Sequence, residues 1–395
     1  MTDRVDTTTD TQLDAPVAPK RSPLHAVHEA AGATFTDFGG WLMPVRYDSD
    51  LAEHHAVRSA AGLFDISHMA ELAITGQQAA AFLDAALAAN VSAIALSRAK
   101  YTMILEPDGG VIDDLIVYHN APGEYLVVAN AGNRDVVVAE LAERIRGFDA
   151  SLHDGTEAIA LLAVQGPRAE EVLRATDGLA EDPAVAMGHT IADLPYYACM
   201  GVRFRGAAVL LARTGYTGED GFELFVEAGR AAELWAALTD AGAPFGLVPC
   251  GLAARDTLRL EAGMPLYGHE LTRDTLPAQA GLGRVVPLKT KTADFVGRAA
   301  VEAGPADGAP VLVGLAAEGR RAARAGYDVL DADGARIGVV TSGALSPTLG
   351  YPIAMAMIDP ASAAVGTALA IDVRGTALPA RVVPLPFYTR PDRTA

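Results

Sequence analysis

Cysteine is nearly absent. The chain carries two, Cys199 and Cys250, with no Cys-x-x-Cys pair, so neither a disulfide scaffold nor a zinc knuckle is indicated. Two reduced core thiols in a cytoplasmic protein are the expectation. Long hydrophobic runs are also missing. Hydrophobic residues make up 50% of the sequence, yet no stretch of about 18 apolar residues occurs, and no membrane span or membrane partner is expected. Positive charge is in deficit: 31 Lys+Arg stand against 49 Asp+Glu, a formal net charge of −18. A field of that sign repels nucleic acid and anionic lipid, so neither is expected as a partner.

The common nucleotide, metal and hydrolase signatures are missing as well. There is no G-x-x-x-x-G-K-[ST] loop, no G-x-G-x-x-G after a strand, no H-E-x-x-H and no G-x-S-x-G elbow. The nine histidines are scattered. The adjacent His54 and His55 would point about 100° apart on a helix, which makes shared metal ligation awkward. The chemistry is left to carboxylates and a bound organic molecule.

The 395 residues leave room for two or three domains at about 100–200 residues each. Met1 to Arg21, rich in Thr, Asp and Pro, reads as a disordered tail, and its four aspartates argue against a transit peptide. From Ser22 onward helix and strand patterns mix. Leu24–Ala33, Leu51–Ala61 and Gln77–Leu87 read as helices, and Ala70–Ile74, Tyr101–Leu105, Val111–Tyr118 and Tyr125–Ala129 read as strands, with a hairpin loop over Asn120–Glu124. The elements do not alternate as regular βαβ units, which favours an α+β class over a doubly wound sheet. Beyond about Thr290, short strand-like runs (Val311–Leu315, Tyr327–Leu330, Ile337–Thr341, Ala368–Val373, Pro379–Val383) sit between Gly, Asp and Pro turns and predict a small β-sandwich or barrel.

Three segments carry unusual polar chemistry. Asp113 and Asp114 interrupt the apolar run VIDDLIV. Successive strand side chains face opposite ways, so only one of the pair can enter a given pocket; a buried carboxylate needs hydrogen bonds or a shifted pKa. Arg213–Glu223 (RTGYTGEDGFE) places three glycines in a tight loop and Glu223 at a loop–strand junction, a favoured place for ligand contacts. Gly251–Ala262 (GLAARDTLRLEA) reads as a helix ended by Gly263, with Arg255 and Arg259 on one face, able to clamp a carboxylate or to pair with neighbouring acids.

Taken together these segments resemble the T-proteins (aminomethyltransferases) of the glycine cleavage system. The resemblance runs from about Ser22 to Arg390 and is carried by FGGWLMPVRY, HHAVRSAAGLFDISHM, GGVIDDLIVY, AVQGP, RTGYTGEDGFE, GLAARDTLRLEAGMPLYGHEL, FVGRAA and TSGALSPTLGYPIAMA. It implies a three-domain cloverleaf of α+β class. Residues 22–288 would form two intertwined α+β domains around a central folate site, and 289–395 a C-terminal β-barrel. It also implies an enzyme that takes the aminomethyl group carried on the lipoyl arm of an H-protein, releases ammonia and passes the one-carbon unit to tetrahydrofolate as cosubstrate, alongside the P- and L-proteins of the system. By the same resemblance Asp113 is the acid at the reacting centre and Asp114 the structural member of the pair. Glu223 holds the pterin, Arg255 binds folate, Tyr101, Asn130 and Tyr216 line the pocket, and Arg390 reaches the site. One departure is Arg284, where many relatives carry a tryptophan that would stack on the ligand.

Two rivals share the module. Folate-coupled demethylases of the dimethylglycine and sarcosine type usually fuse it to a flavin domain, whose dinucleotide fingerprint is missing here, which leaves a free-standing folate-dependent demethylase as the alternative. A folate-binding branch that assists iron–sulfur assembly carries a K-G-C-[YF]-x-G-Q-E segment, where this chain reads GLAARDTLRLEAG. Arg320, Arg321 and Arg324 form the densest basic cluster and are a candidate docking patch for an acidic carrier.

Overall fold

The structure, a computed structural model, describes residues 18–391. Two sheets and a barrel carry the architecture. A seven-stranded sheet is ordered Leu179–Glu181, Cys199–Phe204, Ala207–Ala212, Gly221–Glu227, Ile159–Gln165, Ala61–Asp65, Leu247–Pro249. A five-stranded sheet is ordered Ala99–Leu105, Val111–Ala121, Glu124–Ala129, Ala70–Thr75, Ser151–Asp154. The chain crosses between them twice: Ala61–Asp65 lies in the larger sheet, Ala70–Thr75 in the smaller, and Ile159–Gln165 returns to the larger. The two sheets are therefore interleaved in sequence, and neither is a contiguous segment.

Strand alternation decides what each face meets. In Val111–Ala121, Leu115 and Val117 pack under the helices Ala79–Ala86 and Arg134–Arg144, while Tyr118 on the other face joins a core shared with Phe64, Leu161 and Phe225 of the larger sheet. The outer face of the larger sheet is covered by the helices Ala169–Ala175 and Ala231–Gly242. Helices thus lie outside, and the two sheets face each other inside, an arrangement that buries one apolar face of every element.

The predicted helices form with ends displaced by a few residues: His25–Ala30, Asp50–Ser59, Ala79–Ala86 and Leu252–Glu261. Ser49 caps the second, its Oγ accepting from the Ala52 N–H at 3.3 Å, with Asp50 and Glu53 in the first turn favoured by the helix dipole. The Asn120–Glu124 loop is tighter than predicted, since the strands extend until Ala121 opposes Glu124 and Gly123, at φ +74°, makes the turn. Of the tail, Lys20–Arg21 is not disordered: it pairs in parallel with Trp41–Leu42 in a three-stranded sheet with Thr34–Phe38. Residues 1–17 lie outside the described part.

The C-terminal strands close into a six-stranded barrel: Val311–Ala317, Pro352–Ile358, Arg336–Leu345, Asp328–Leu330, Ala368–Asp372 and Ala377–Val383, the last pairing back to the first. Pro352–Ile358 was not foreseen. Its composition, PIAMAMI, opens with proline and is rich in Ala and Met, poor strand signals, yet it pairs on both sides because all but one of its residues are buried. Leu260 of the Leu252–Glu261 helix packs with Ala344, Ile353 and Met355, seating the barrel on that helix.

Candidate functional site

Between the two inner sheet faces lies a cavity of about 340 Å³. The smaller sheet contributes Tyr101, Asp114, Ile116, Tyr118 and Val128, with Asn130 just past the end of its third strand; the larger contributes Leu161 and Glu223. Arg255 enters from the Leu252–Glu261 helix, and the segment 263–267 closes one side. Aromatic and aliphatic walls with a few convergent polar groups are the composition of a site for a flat organic ligand.

The aspartate pair is placed opposite to expectation. Asp114 lines the cavity, whereas Asp113 is fully buried and turned away from it. The reason is register. Asp114, Ile116 and Tyr118 share the face toward the larger sheet, and Asp113 shares its face with Leu115 and Val117. Asp113 is nonetheless fully hydrogen-bonded: Oδ2 accepts the Asn130 backbone N–H at 2.9 Å, and Oδ1 accepts the side-chain amides of Asn130 at 2.8 Å and Asn133 at 2.6 Å. Asp114 accepts the Tyr101 hydroxyl at 2.9 Å and the same Asn130 amide at 2.9 Å. A single amide therefore bridges both carboxylates. Burial, then the Asp114 charge, pushes the Asp113 carboxyl up to about 7 against the hydrogen bonds of the two asparagines. Burial also raises Asp114, with the Glu270 charge acting in the same direction and the Tyr101 and Asn130 hydrogen bonds opposing it.

Glu223 is held from two sides. Its Oε2 accepts the Thr214 hydroxyl at 2.5 Å and the Tyr118 hydroxyl at 3.2 Å. The Arg255 guanidinium lies over the Tyr216 ring, 5.0 Å from its centroid, and its buried Nη1 has no hydrogen-bond partner among the described residues. Tyr216 donates its hydroxyl to the Pro265 carbonyl, which fixes the ring against the cavity. His68, buried near Arg255, is pushed down to about 4 by burial and then by the arginine charge, so it is neutral at pH 7.

The glycine loop owes its composition to Gln165. A Cβ on Gly215 or Gly221 would meet that side chain at 2.0 or 2.4 Å. Gln165 in turn donates to the Thr214 carbonyl at 3.1 Å and accepts the Thr217 hydroxyl at 2.9 Å. The close approach inferred from the glycines is to protein at these two positions, and it fixes the loop that delivers Thr214 and Glu223.

Three expectations change. The Arg255–Arg259 clamp does not form, because Arg259 is buried against Asp256 at 2.7 Å and Glu270 at 3.1 Å. Arg390 is not part of the cavity lining; its Nη1 sits 3.4 Å from Asp220 Oδ1 of the glycine loop. Arg284 is exposed on a short turn while its neighbour Leu282 lines the cavity, so an apolar side chain supplies that wall. Tyr118 and Thr214 were missed by the sequence reading. The signal for Tyr118 was its even spacing from Asp114 on one strand. Among the described residues no cluster fit for a metal ion occurs, and no helix is long and apolar enough to cross a membrane.

Comparison with known proteins places the chain. Residues 24–290 match the GCVT N-terminal domain, and 311–389 match the glycine cleavage T-protein C-terminal barrel domain. The aminomethyltransferase of Cutibacterium acnes is 56% identical over 371 residues, covering 94% of this chain and 99% of that protein. That of Saccharopolyspora erythraea is 57% identical over 376 residues, with the same coverage. The crystal structure of glycine cleavage system aminomethyltransferase T from Bartonella henselae superposes with a TM-score of 0.85 at 37% identity, covering 94% of this chain and 98% of that one. The chain belongs to the glycine cleavage T-protein family, the aminomethyltransferases.

Proposed function

We propose that this protein transfers the one-carbon unit of an aminomethyl group, carried on the lipoyl arm of an H-protein, to tetrahydrofolate with release of ammonia, in the cytoplasm and together with the P- and L-proteins of glycine cleavage. The observation that carries the reading at residue level is the polar inventory of the cavity. It offers one carboxylate backed by Tyr101 and Asn130 and, among the described residues, a second carboxylate with Oε1 left unbonded and a buried arginine nitrogen without a partner. A reduced pteridine fits this inventory: its ring edge carries N–H donors for Glu223 and acceptors for Arg255, and its faces suit the tyrosine and aliphatic walls.

When bound, tetrahydrofolate supplies the nucleophilic nitrogens that accept the one-carbon unit. The protein's own part is positioning and electrostatics. The Asp114 carboxylate, oriented by Tyr101 and Asn130, favours positive charge developing at the transferred carbon and can take up or return the proton of the accepting nitrogen. Asp113 lies behind that carboxylate and acts through it, by its charge and by fixing Asn130. The walls exclude water, which strengthens the carboxylate's field.

The test is tetrahydrofolate-dependent ammonia release from aminomethylated lipoyl carrier. Asp114→Asn is expected to lose about 10²–10⁴-fold in turnover while its equilibrium affinity for tetrahydrofolate falls by no more than about threefold. Turnover near that of the wild type would remove Asp114 from the reaction. A sample that does not bind reduced folates would remove the function. The exposed Arg320, Arg321 and Arg324 are proposed to attract an acidic carrier; reversing the three charges should raise KM for the carrier most strongly at low salt.

A further inference from the structure

Glu223 belongs to a closed triangle of hydrogen bonds. Thr214 Oγ1 donates to Glu223 Oε2 at 2.5 Å, and the Tyr118 hydroxyl lies 3.2 Å from the same oxygen and 3.1 Å from Thr214 Oγ1. Tyr118 is 0%, Thr214 1% and Glu223 7% exposed. The triangle spans both sheets, since Tyr118 comes from the smaller and Glu223 from the larger. The Tyr118 ring is itself locked edge-on against Phe225, with centroids 5.6 Å apart.

Proton counting limits what this corner can do. Each hydroxyl has one proton, and Thr214 spends its own on Glu223. The Tyr118 proton goes to Glu223 or to Thr214. No hydroxyl proton remains for a ligand, and Oε2 is occupied. The Glu223 Oε1 has no hydrogen-bond partner among the described residues, and Glu223 lines the cavity. At this corner the cavity therefore presents a fixed acceptor, and an N–H donor is what satisfies it.

We propose that Tyr118 and Thr214 are positioning residues that set ligand specificity: they hold Glu223 by one oxygen so that the other selects a ring bearing an N–H donor at its edge. The inference rests on the reduced-folate reading of the cavity and deepens it. Pinning a carboxylate before the ligand arrives removes an ordering cost from binding. A site built to accept a hydrogen bond also rejects an analogue that lacks the donor, by up to about 10⁴-fold.

The experiment measures equilibrium binding of tetrahydrofolate, and of an analogue methylated on the pyrimidine ring N–H, to the full chain and to Thr214→Val, Tyr118→Phe and Thr214→Ser. The wild type is expected to discriminate against the methylated ring by about 100-fold or more. Thr214→Val should weaken tetrahydrofolate binding about tenfold, as expected for losing a hydrogen bond to a charged group, and leave the methylated analogue nearly unaffected, so that discrimination narrows. Tyr118→Phe should act in the same direction, and Thr214→Ser should restore both values. In turnover assays the loss should fall on KM. Equal weakening of both ligands would reduce the two residues to structural supports and overturn the proposal, as would unchanged discrimination in Thr214→Val and Tyr118→Phe. If the wild type binds neither ligand, the folate reading itself fails, a result distinct from any failure of the variants.

Discussion

Asp113 and Asp114 show what one residue of register does. Both carboxylates resist ionisation because they are buried and adjacent, and their protons belong to the pair rather than to either residue. The groups facing Asp114 are Tyr101 and Asn130, with Tyr216 and Glu270 near enough to feel its charge. Raised carboxyl pKa values mean that the ionised form is lost as pH falls through a range above that of ordinary carboxylates, so turnover should show an acid limb shifted upward from that ordinary range. Removing the neighbouring charge with Asp113→Asn should move that limb to lower pH. A pH–rate profile of the two proteins checks this, and an unmoved limb would mean that Asp113 does not tune its neighbour. At this scale the sequence was partly legible. The acids inside VIDDLIV announced a polar demand in an apolar strand. Which acid met the cavity depended on pairing register, Met103 opposite Asp114 and Ile104 opposite Asp113, and a single strand pattern does not encode that.

The Leu252–Glu261 helix does two jobs with opposite faces. Arg255 points to the cavity, while Glu261 anchors a buried network: Arg58 donates to it at 2.8 Å, Ser346 caps one oxygen, and Thr348 and His54 reach the other at 2.7 and 3.2 Å. Arg58 also pairs with Glu219 at 3.0 Å, tying the glycine loop to the same point. Burial pushes the Glu261 carboxyl up, but the His54 hydrogen bond, the Ser346 hydroxyl and the Arg58 charge outweigh it and hold it at about 2, below its ordinary 4.5. A depressed carboxyl contributes stability above its unfolded pKa and loses it as pH falls through the folded value. Acid unfolding of the wild type should therefore lose stability between about 4.5 and about 2, a portion missing in Glu261→Gln. Arg58→Ala leaves two buried carboxylates without their cation and should cost roughly 3–5 kcal/mol in denaturant unfolding; a loss under about 1 kcal/mol would contradict the network's role. The helix itself was legible from its composition and from Gly263 at its end. Of the two readings left open for Arg255 and Arg259, pairing with a neighbouring acid holds for Arg259 through Asp256, while its contact with Ser342, 83 residues on, left no mark in the helix pattern.

At the scale of the whole molecule, function follows from two sheets that meet face to face, their apolar contact opening into a cavity that polar residues line. The mixed class and a β-rich C-terminal unit were legible because turn residues and β-branched runs mark them locally; the interleaving of the sheets was expected only from the family resemblance. The barrel's closure and the strand Pro352–Ile358 were not, since they depend on burial from both sides. The residue assignments all reduce to one geometric statement, that a reduced pteridine lies between the sheets with Asp114 at its reacting edge. A crystal structure of the full chain with 5-formyl-tetrahydrofolate tests it directly. The expected result places a ring N–H on Glu223 Oε1, an acceptor on Arg255 Nη1, and an Asp114 carboxylate oxygen about 3–3.5 Å from the one-carbon nitrogens. A ligand bound outside this cavity, or one whose one-carbon edge lies away from Asp114, would contradict the account.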